Sequence, residues 1–295
     1  MPRIPIPPSL KRLIVPVWNA TYHGAWFSYD YLNALAHRRL ERCSVCGRAG
    51  LMLYRRRVIP RRLVELWGLS PRLAESLARK ESSDCCRCGA KLRCRRLART
   101  LIELYPTGSP VSSLAEWVSR SSTQALRVAE INRIDGVHEQ LLRLPQFSSS
   151  DFVPGAPAGS MVAGIRCEDL TCLSYADESF DVVLTSETLE HVPDLDRALA
   201  EIMRVLVPGG RHIFTIPVLP DTTHTFSRSV IHSDGSIEDR APRICHPGGD
   251  VGYPVFTEFG KDLREVMERA GFEFEVRYGP VRVDDLAQVY VCRRK

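Results

Sequence analysis

The sequence predicts an α/β fold: a mostly parallel sheet covered on both faces, preceded by a small module built on cysteines. Three observations predict it. From about residue 125, apolar runs of strand length alternate with stretches at helical spacing. The apolar runs read as buried on both faces, as parallel strands are. Two CxxC-Gly stretches, Cys43-Ser-Val-Cys46-Gly47 and Cys85-Cys-Arg-Cys88-Gly89, lie within the first hundred residues.

Size and charge set the frame for the elements. The 295 residues leave room for one large domain or two small ones, with 44% apolar residues to fill a core. Residues 1–100 carry 21 Lys and Arg against 6 Asp and Glu, whereas the remainder carries 19 against 29. Two oppositely charged parts suggest two modules, 1–100 and 101–295. The basic one either faces an anionic partner or faces the acidic part. No run of 18 apolar residues occurs, so no transmembrane segment is expected. The N-terminal MPRIPIPPSLKRLIVPVW is broken by prolines and has no cleavage pattern. With ten cysteines, this points to a reducing, cytoplasmic location where thiols hold metal.

In the first module the two knuckles converge four thiolates on one ion, the arrangement of structural zinc: Cys43, Cys46, Cys85 and Cys88. Cys86 or Cys94 can replace one of them. Between the knuckles, helices are expected over Pro60–Trp67 and Pro71–Lys80. Arg55-Arg56-Arg57, Arg61-Arg62 and the arginines of 93–99 make a surface of the kind nucleic acids bind.

In the second module strands are expected at Ala125–Ile131, Phe147–Val153, Met161–Ile165 and Phe180–Leu184. A helix follows from Leu195 to Leu206, ended by Pro208-Gly209-Gly210, then a strand at Arg211–Pro217. A last helix, Glu258–Ala270, leads into strands Phe272–Tyr278 and Leu286–Cys292. Ligands in such sheets bind beyond the carboxyl ends of the strands, near the switch in strand order. The polar patch Thr185-Ser186-Glu187 stands at such an end, with the pair Glu190-His191 just beyond.

DESFDVVLTSETLEHV followed by DLDRALAEIMRVLVPGGRHIFTIP resembles the class I S-adenosylmethionine-dependent methyltransferases of the ubiquinone/menaquinone-like group. The resemblance covers roughly residues 125–220. It implies a Rossmann-like class I methyltransferase sheet with a C-terminal antiparallel β-hairpin, and S-adenosylmethionine as cofactor. Asp169, twelve residues before Asp181, matches the family's adenine-binding aspartate, with Leu170 beside it. Glu130 and Gly136 match the glycine loop, whose first two glycines are here Asn132 and Ile134. Asp151 stands near the family's ribose-binding acid, and Thr185 and Ser186 lie beside the cofactor. Ile134 is the departure, because a β-branched residue resists left-handed geometry and occupies space beside a ligand.

Methyl transfer needs the acceptor aligned and relieved of a proton, and histidine suits the second task. His191 is one candidate base. His246 is the other, in an insertion over 218–256 that reads as an acceptor-binding lid. A metal site from His224, His232 and His246 lacks ligand spacing. The expected function is O-methylation of a small-molecule or sugar/glycan-type acceptor. RNA methylation through the basic zinc module and a non-catalytic scaffold are the alternatives.

Overall fold

The structure, a computed structural model, describes residues 28–37, 39–55, 58–232, 236–246 and 252–295. A small antiparallel sheet, β1 (Leu40–Arg42), β2 (Ala49–Leu53) and β3 (Asp84–Cys85), carries the two cysteine knuckles. The helices Arg61–Leu66, Pro71–Lys80 and Leu92–Leu104 accompany it, and the last of these runs across residue 100.

The main sheet has eight strands: β4 (Val128–Ile131), β5 (Phe147–Asp151), β6 (Met161–Val162), β7 (Ile165–Cys167), β8 (Phe180–Ser186), β9 (Leu206–Thr215), β16 (Phe272–Arg277) and β17 (Val289–Arg294). Their order is β16-β17-β9-β8-β4-β5-β7-β6. The run β9-β8-β4-β5-β7 is parallel, and β17 inserts antiparallel between β9 and β16. Strand order reverses at β4, so the chain ends of β4, β5, β7 and β8 gather at one edge.

The alternation of side chains along each strand builds two cores. Ala129, Val183, Phe214 and Tyr290 face the helices Leu195–Val205 and Leu263–Arg269. Their neighbours Val128, Val182, Ile213 and Val291 face the other way, onto Leu97, Leu101, Trp117 and Leu141. The knuckle residues Cys43, Val45 and Ala90 belong to that second core. The cysteine module is therefore packed into the sheet's own layer of helices.

Three expected elements differ. Met161–Ile165 is a hairpin, because Ala163 and Gly164 both take left-handed φ (49° and 81°) and turn β6 back onto β7. Pro208-Gly209-Gly210 does not precede a strand but lies within β9, which starts at Leu206. Gly209 at φ 79° and a register shift against Phe180–Val182 make the triplet an irregularity of the ladder. The last helix starts at Leu263, because Thr257–Glu258 pairs as a strand with Phe226–Ser227.

Six short strands, β10 to β15 (Phe226–Ser227, Ser229–Ile231, Ile237–Asp239, Cys245–His246, Tyr253–Pro254, Thr257–Glu258), form three ribbons in the insertion after β9. It is fastened over the end of β8 by the Phe256 N–H, which donates to the Glu190 carbonyl at 2.7 Å. Among the described residues no helix is long and apolar enough to cross a membrane.

Candidate functional site

At the carboxyl edge, Asn132 joins the strand ends. Its Nδ2 donates to Thr188 Oγ1 (3.3 Å) and its Oδ1 accepts from the Phe152 N–H (3.4 Å). Asn132 takes φ +65° and Gly136 φ +74°, whereas Ile134 is not among the residues with left-handed backbone. The Ile134 side chain is buried in the core that contains Ala90 and Cys94. A Cβ on Gly136 would meet Ala90 Cβ at 2.9 Å and the Cys88 carbonyl at 3.0 Å. So the loop keeps its left-handed first and last positions, while its middle residue becomes an anchor for the cysteine module.

Glu130 is fully buried beneath this loop. It accepts from the Ile134 N–H (3.2 Å) and pairs with His138 Nδ1 (2.6 Å), which places it as a brace for the backbone. Asp151 Oδ1 accepts from the Arg133 N–H (3.0 Å). Asp169 Oδ1 accepts from the Thr171 N–H and hydroxyl (2.8 and 2.7 Å), and Leu170 is buried beside it. Thr185 turns under the sheet to His212 Nε2 (2.9 Å), and Ser186 accepts from Arg93 and contacts Thr215 Oγ1 (2.8 Å).

Beyond Ser186 opens a cavity of about 640 Å³, walled by the helices of the first module and by the insertion; Trp67, Arg93, Glu187, His191, His246 and Tyr253 are among its lining. Of the residues expected to hold cofactor, Ser186 alone lines it. The two histidines expected to serve the acceptor meet there, 55 positions apart in sequence, with His191 Nε2 at 3.1 Å from His246 Nδ1. His191 Nδ1 donates to the Pro254 carbonyl at 2.7 Å. His224 and His232 lie elsewhere, exposed beside Asp262 and Glu238.

Sequence reasoning missed Lys80, which lies behind the cavity wall at Glu187. Lys80 is 1% exposed and donates to Glu187 Oε2 (2.8 Å) and the Ile216 carbonyl (2.9 Å). Burial alone would raise the Glu187 carboxyl, but Lys80 and then Arg93 hold it down to about 2. Glu187 itself sits at φ +53°, a strained position for a residue with a Cβ. Burial and then Glu187 push the Glu190 carboxyl well up. Burial lowers both imidazoles, that of His246 to about 4 with help from His191. One signal for Lys80 was present: with Leu73 and Leu77 it falls at i, i+4 and i+7 on the apolar stripe of its helix.

The sulfurs of Cys43, Cys46, Cys85 and Cys88 converge at the other end of the first module, with 3.8 Å between Cys43 and Cys88 and 3.9 Å between Cys46 and Cys85. Gly47 and Gly89 close the knuckles at φ 74° and 72°. Cys86 and Cys94 stand outside this cluster.

The strand order and the strand-end loop invite comparison with known proteins. The sequence profile of the methyltransferase domain family matches residues 117–214. Over those residues the chain is similar to that family. Over 101 residues this domain is 38% identical to the methyltransferase GfsG of Streptomyces halstedii, covering 34% of this chain and 35% of that one. Over 128 residues it is 27% identical to a ubiquinone biosynthesis O-methyltransferase of Mesorhizobium japonicum, covering 43% and 49%. The methyltransferase domain thus aligns with less than half the length of either relative. Among solved structures, CalS10, an amino pentose methyltransferase of Micromonospora echinaspora, superposes with a TM-score of 0.39 at 14% identity, over 66% of this chain and 97% of that one. An S-adenosylmethionine-dependent methyltransferase of Mesorhizobium loti does so at 0.39 and 19%, over 61% and 98%. Scores at this level add nothing to the family match.

Proposed function

We propose that this chain methylates a hydroxyl of a small-molecule or sugar-type acceptor, using S-adenosylmethionine. The observation that carries the reading is the meeting of His191 and His246 in the wall of a cavity of small-molecule size that opens at the end of β8. The residues at the strand ends fit the cofactor. The carboxylates of Asp151 and Asp169 suit hydroxyl and amino donors, and Asn132 turns the loop without a bulky side chain at its left-handed position. Arg93, bound through Nε to Glu81 and through Nη1 to Ser186, lines the cavity. When bound, the cofactor supplies an electrophilic methyl group on a sulfonium. The chain's own work is to align the acceptor oxygen, exclude water beneath the insertion, and draw off the hydroxyl proton on the histidine side.

The four-cysteine cluster is read as a structural zinc site. A tetrahedron of sulfurs at a zinc–sulfur distance of about 2.3 Å has edges of about 3.8 Å, and the separations of 3.8 and 3.9 Å match it. Four thiolates leave no open position, so this ion holds the fold of the first module.

The test is calorimetric titration with S-adenosylmethionine and S-adenosylhomocysteine. Micromolar binding, weakened at least tenfold by Asp169→Ala and by Asp151→Ala, is the expected result. Absence of binding to either ligand by folded protein would return the domain to a scaffold role. For the acceptor side, His191→Ala and His246→Ala should abolish turnover and leave cofactor binding intact.

A further inference from the structure

Glu190 is fully buried, and both its carboxylate oxygens lack a hydrogen-bond partner among the described residues. A carboxyl group so placed is expensive to leave unmatched. Its Oε1 stands 3.7 Å from His191 Nε2 and 3.7 Å from His246 Nδ1, and those two nitrogens stand 3.1 Å apart. A triangle with these three sides has a circumradius of about 2.0 Å, the length of a zinc–nitrogen or zinc–oxygen bond. Three atoms brought together from two chain segments are therefore equidistant from one point at coordination distance.

The protonation pattern agrees. The Pro254 carbonyl can only accept, so His191 carries its proton on Nδ1 and turns a lone pair on Nε2 toward that point. An imidazole held through its outer nitrogen by a carbonyl is the usual support of a metal ligand. His191 and His246 line the cavity, so a cation at this point has its remaining positions open to whatever the cavity holds.

We propose that Glu190, His191 and His246 form a divalent-cation site that binds the acceptor hydroxyl. The two-histidine, one-carboxylate set suits Mn2+, Fe2+, Co2+ or Zn2+ over the harder Mg2+ and Ca2+. The site rests on the methyltransferase reading for its role and on geometry alone for its existence. The cation coordinates the acceptor oxygen and lowers the pKa of its hydroxyl, so the proton leaves to solvent. The oxygen lone pair then forms the new bond to the methyl carbon. The carbon–sulfur bond breaks and its electron pair stays on sulfur, which becomes a neutral thioether. In this scheme the histidines are ligands, and acceptors with a second oxygen beside the reacting hydroxyl fit best because they chelate.

The test uses the full chain, with the zinc content of the cysteine cluster first established by metal analysis. Mn2+ alone, then Zn2+ alone, is titrated into wild type, Glu190→Gln and His246→Gln, with free Mn2+ read by electron paramagnetic resonance and folding by circular dichroism. One saturable equivalent beyond the cysteine-held ion, weakened at least tenfold in both folded variants, is expected. No further equivalent of either metal in wild type, or affinity unchanged in both variants, overturns the site. S-adenosylhomocysteine binding measured on the same samples separates the two readings. Metal binding without cofactor binding sinks the methyltransferase reading, and cofactor binding without metal binding sinks the site.

Discussion

At the scale of single residues the site is governed by charges taken out of water. Lys80 reaches Glu187 from a helix 107 positions away in sequence, and both are largely buried. Removing one partner of such a pair leaves the other unmatched, which destabilises by about 3–5 kcal/mol. Lys80→Met should therefore lower the urea midpoint sharply, and the double variant with Glu187→Gln should recover most of the loss. His212 presents the opposite case. Burial pushes its imidazole down to about 3. An unfolded histidine takes up its proton below about pH 6.5, whereas native His212 stays neutral until about pH 3. The stability it permits is complete above pH 6.5 and drains away as pH falls toward 3. Between pH 6.5 and 5 the expected loss is about 2 kcal/mol. Urea midpoints at the two pH values should show a smaller drop in His212→Gln than in wild type.

At the scale of elements, the cysteine knuckles back the strand-end loop. Gly136 has no room for a methyl group beside Ala90 and the Cys88 carbonyl, and its φ of +74° disfavours any other residue. Gly136→Ala should cost about 1–3 kcal/mol, read as a drop in melting temperature, and should weaken S-adenosylhomocysteine binding because the loop must move. Stripping metal from the cysteine cluster should weaken the same binding from the other side of that contact. Calorimetry before and after chelation, with zinc added back, checks it; unchanged affinity in a folded, zinc-free protein would separate the knuckles from the loop. The helix Pro71–Lys80 was legible residue for residue, from Pro71 at its start, a Ser70 side chain capping the Leu73 N–H (3.3 Å), and its apolar stripe. The hairpin at Ala163-Gly164 and the irregularity at Gly209 were not. Both depend on which strand lies alongside, and strand pairing is invisible in local pattern.

At the scale of the whole molecule, the opposite charges of the two parts are joined in contact. Lys80 pairs with Glu187, Lys91 with Asp135 (3.4 Å), and Arg96 with Asp285 (2.8 Å), each bridging the basic and acidic portions. Arg93 and Arg95, expected on a nucleic-acid surface, are buried and bound to Glu81 and Glu41. The second core mixes Cys43, Val45 and Leu97 with Val182, Ile213 and Val291. Parts that share a core and a set of ion pairs unfold together. A single calorimetric transition, coincident by tryptophan fluorescence and far-ultraviolet circular dichroism, is the expected outcome. Two separated transitions would show that the cysteine module folds as its own unit.

By itself the sequence set out the alternation of the main strands and helices and the paired cysteines of the two knuckles. Each of these is written in local period, short spacing or a contiguous motif. Only the tertiary structure decided that Ile134 turns into the core, that Lys80 is buried against Glu187 and Arg93 reaches the cavity, and that His246 comes to rest beside Glu190 and His191. Those outcomes depend on how the insertion and the first helices fold back over the sheet. Contacts between segments far apart in the chain are set by packing and by the need to match buried charge, and neither is encoded in the neighbourhood of any one residue.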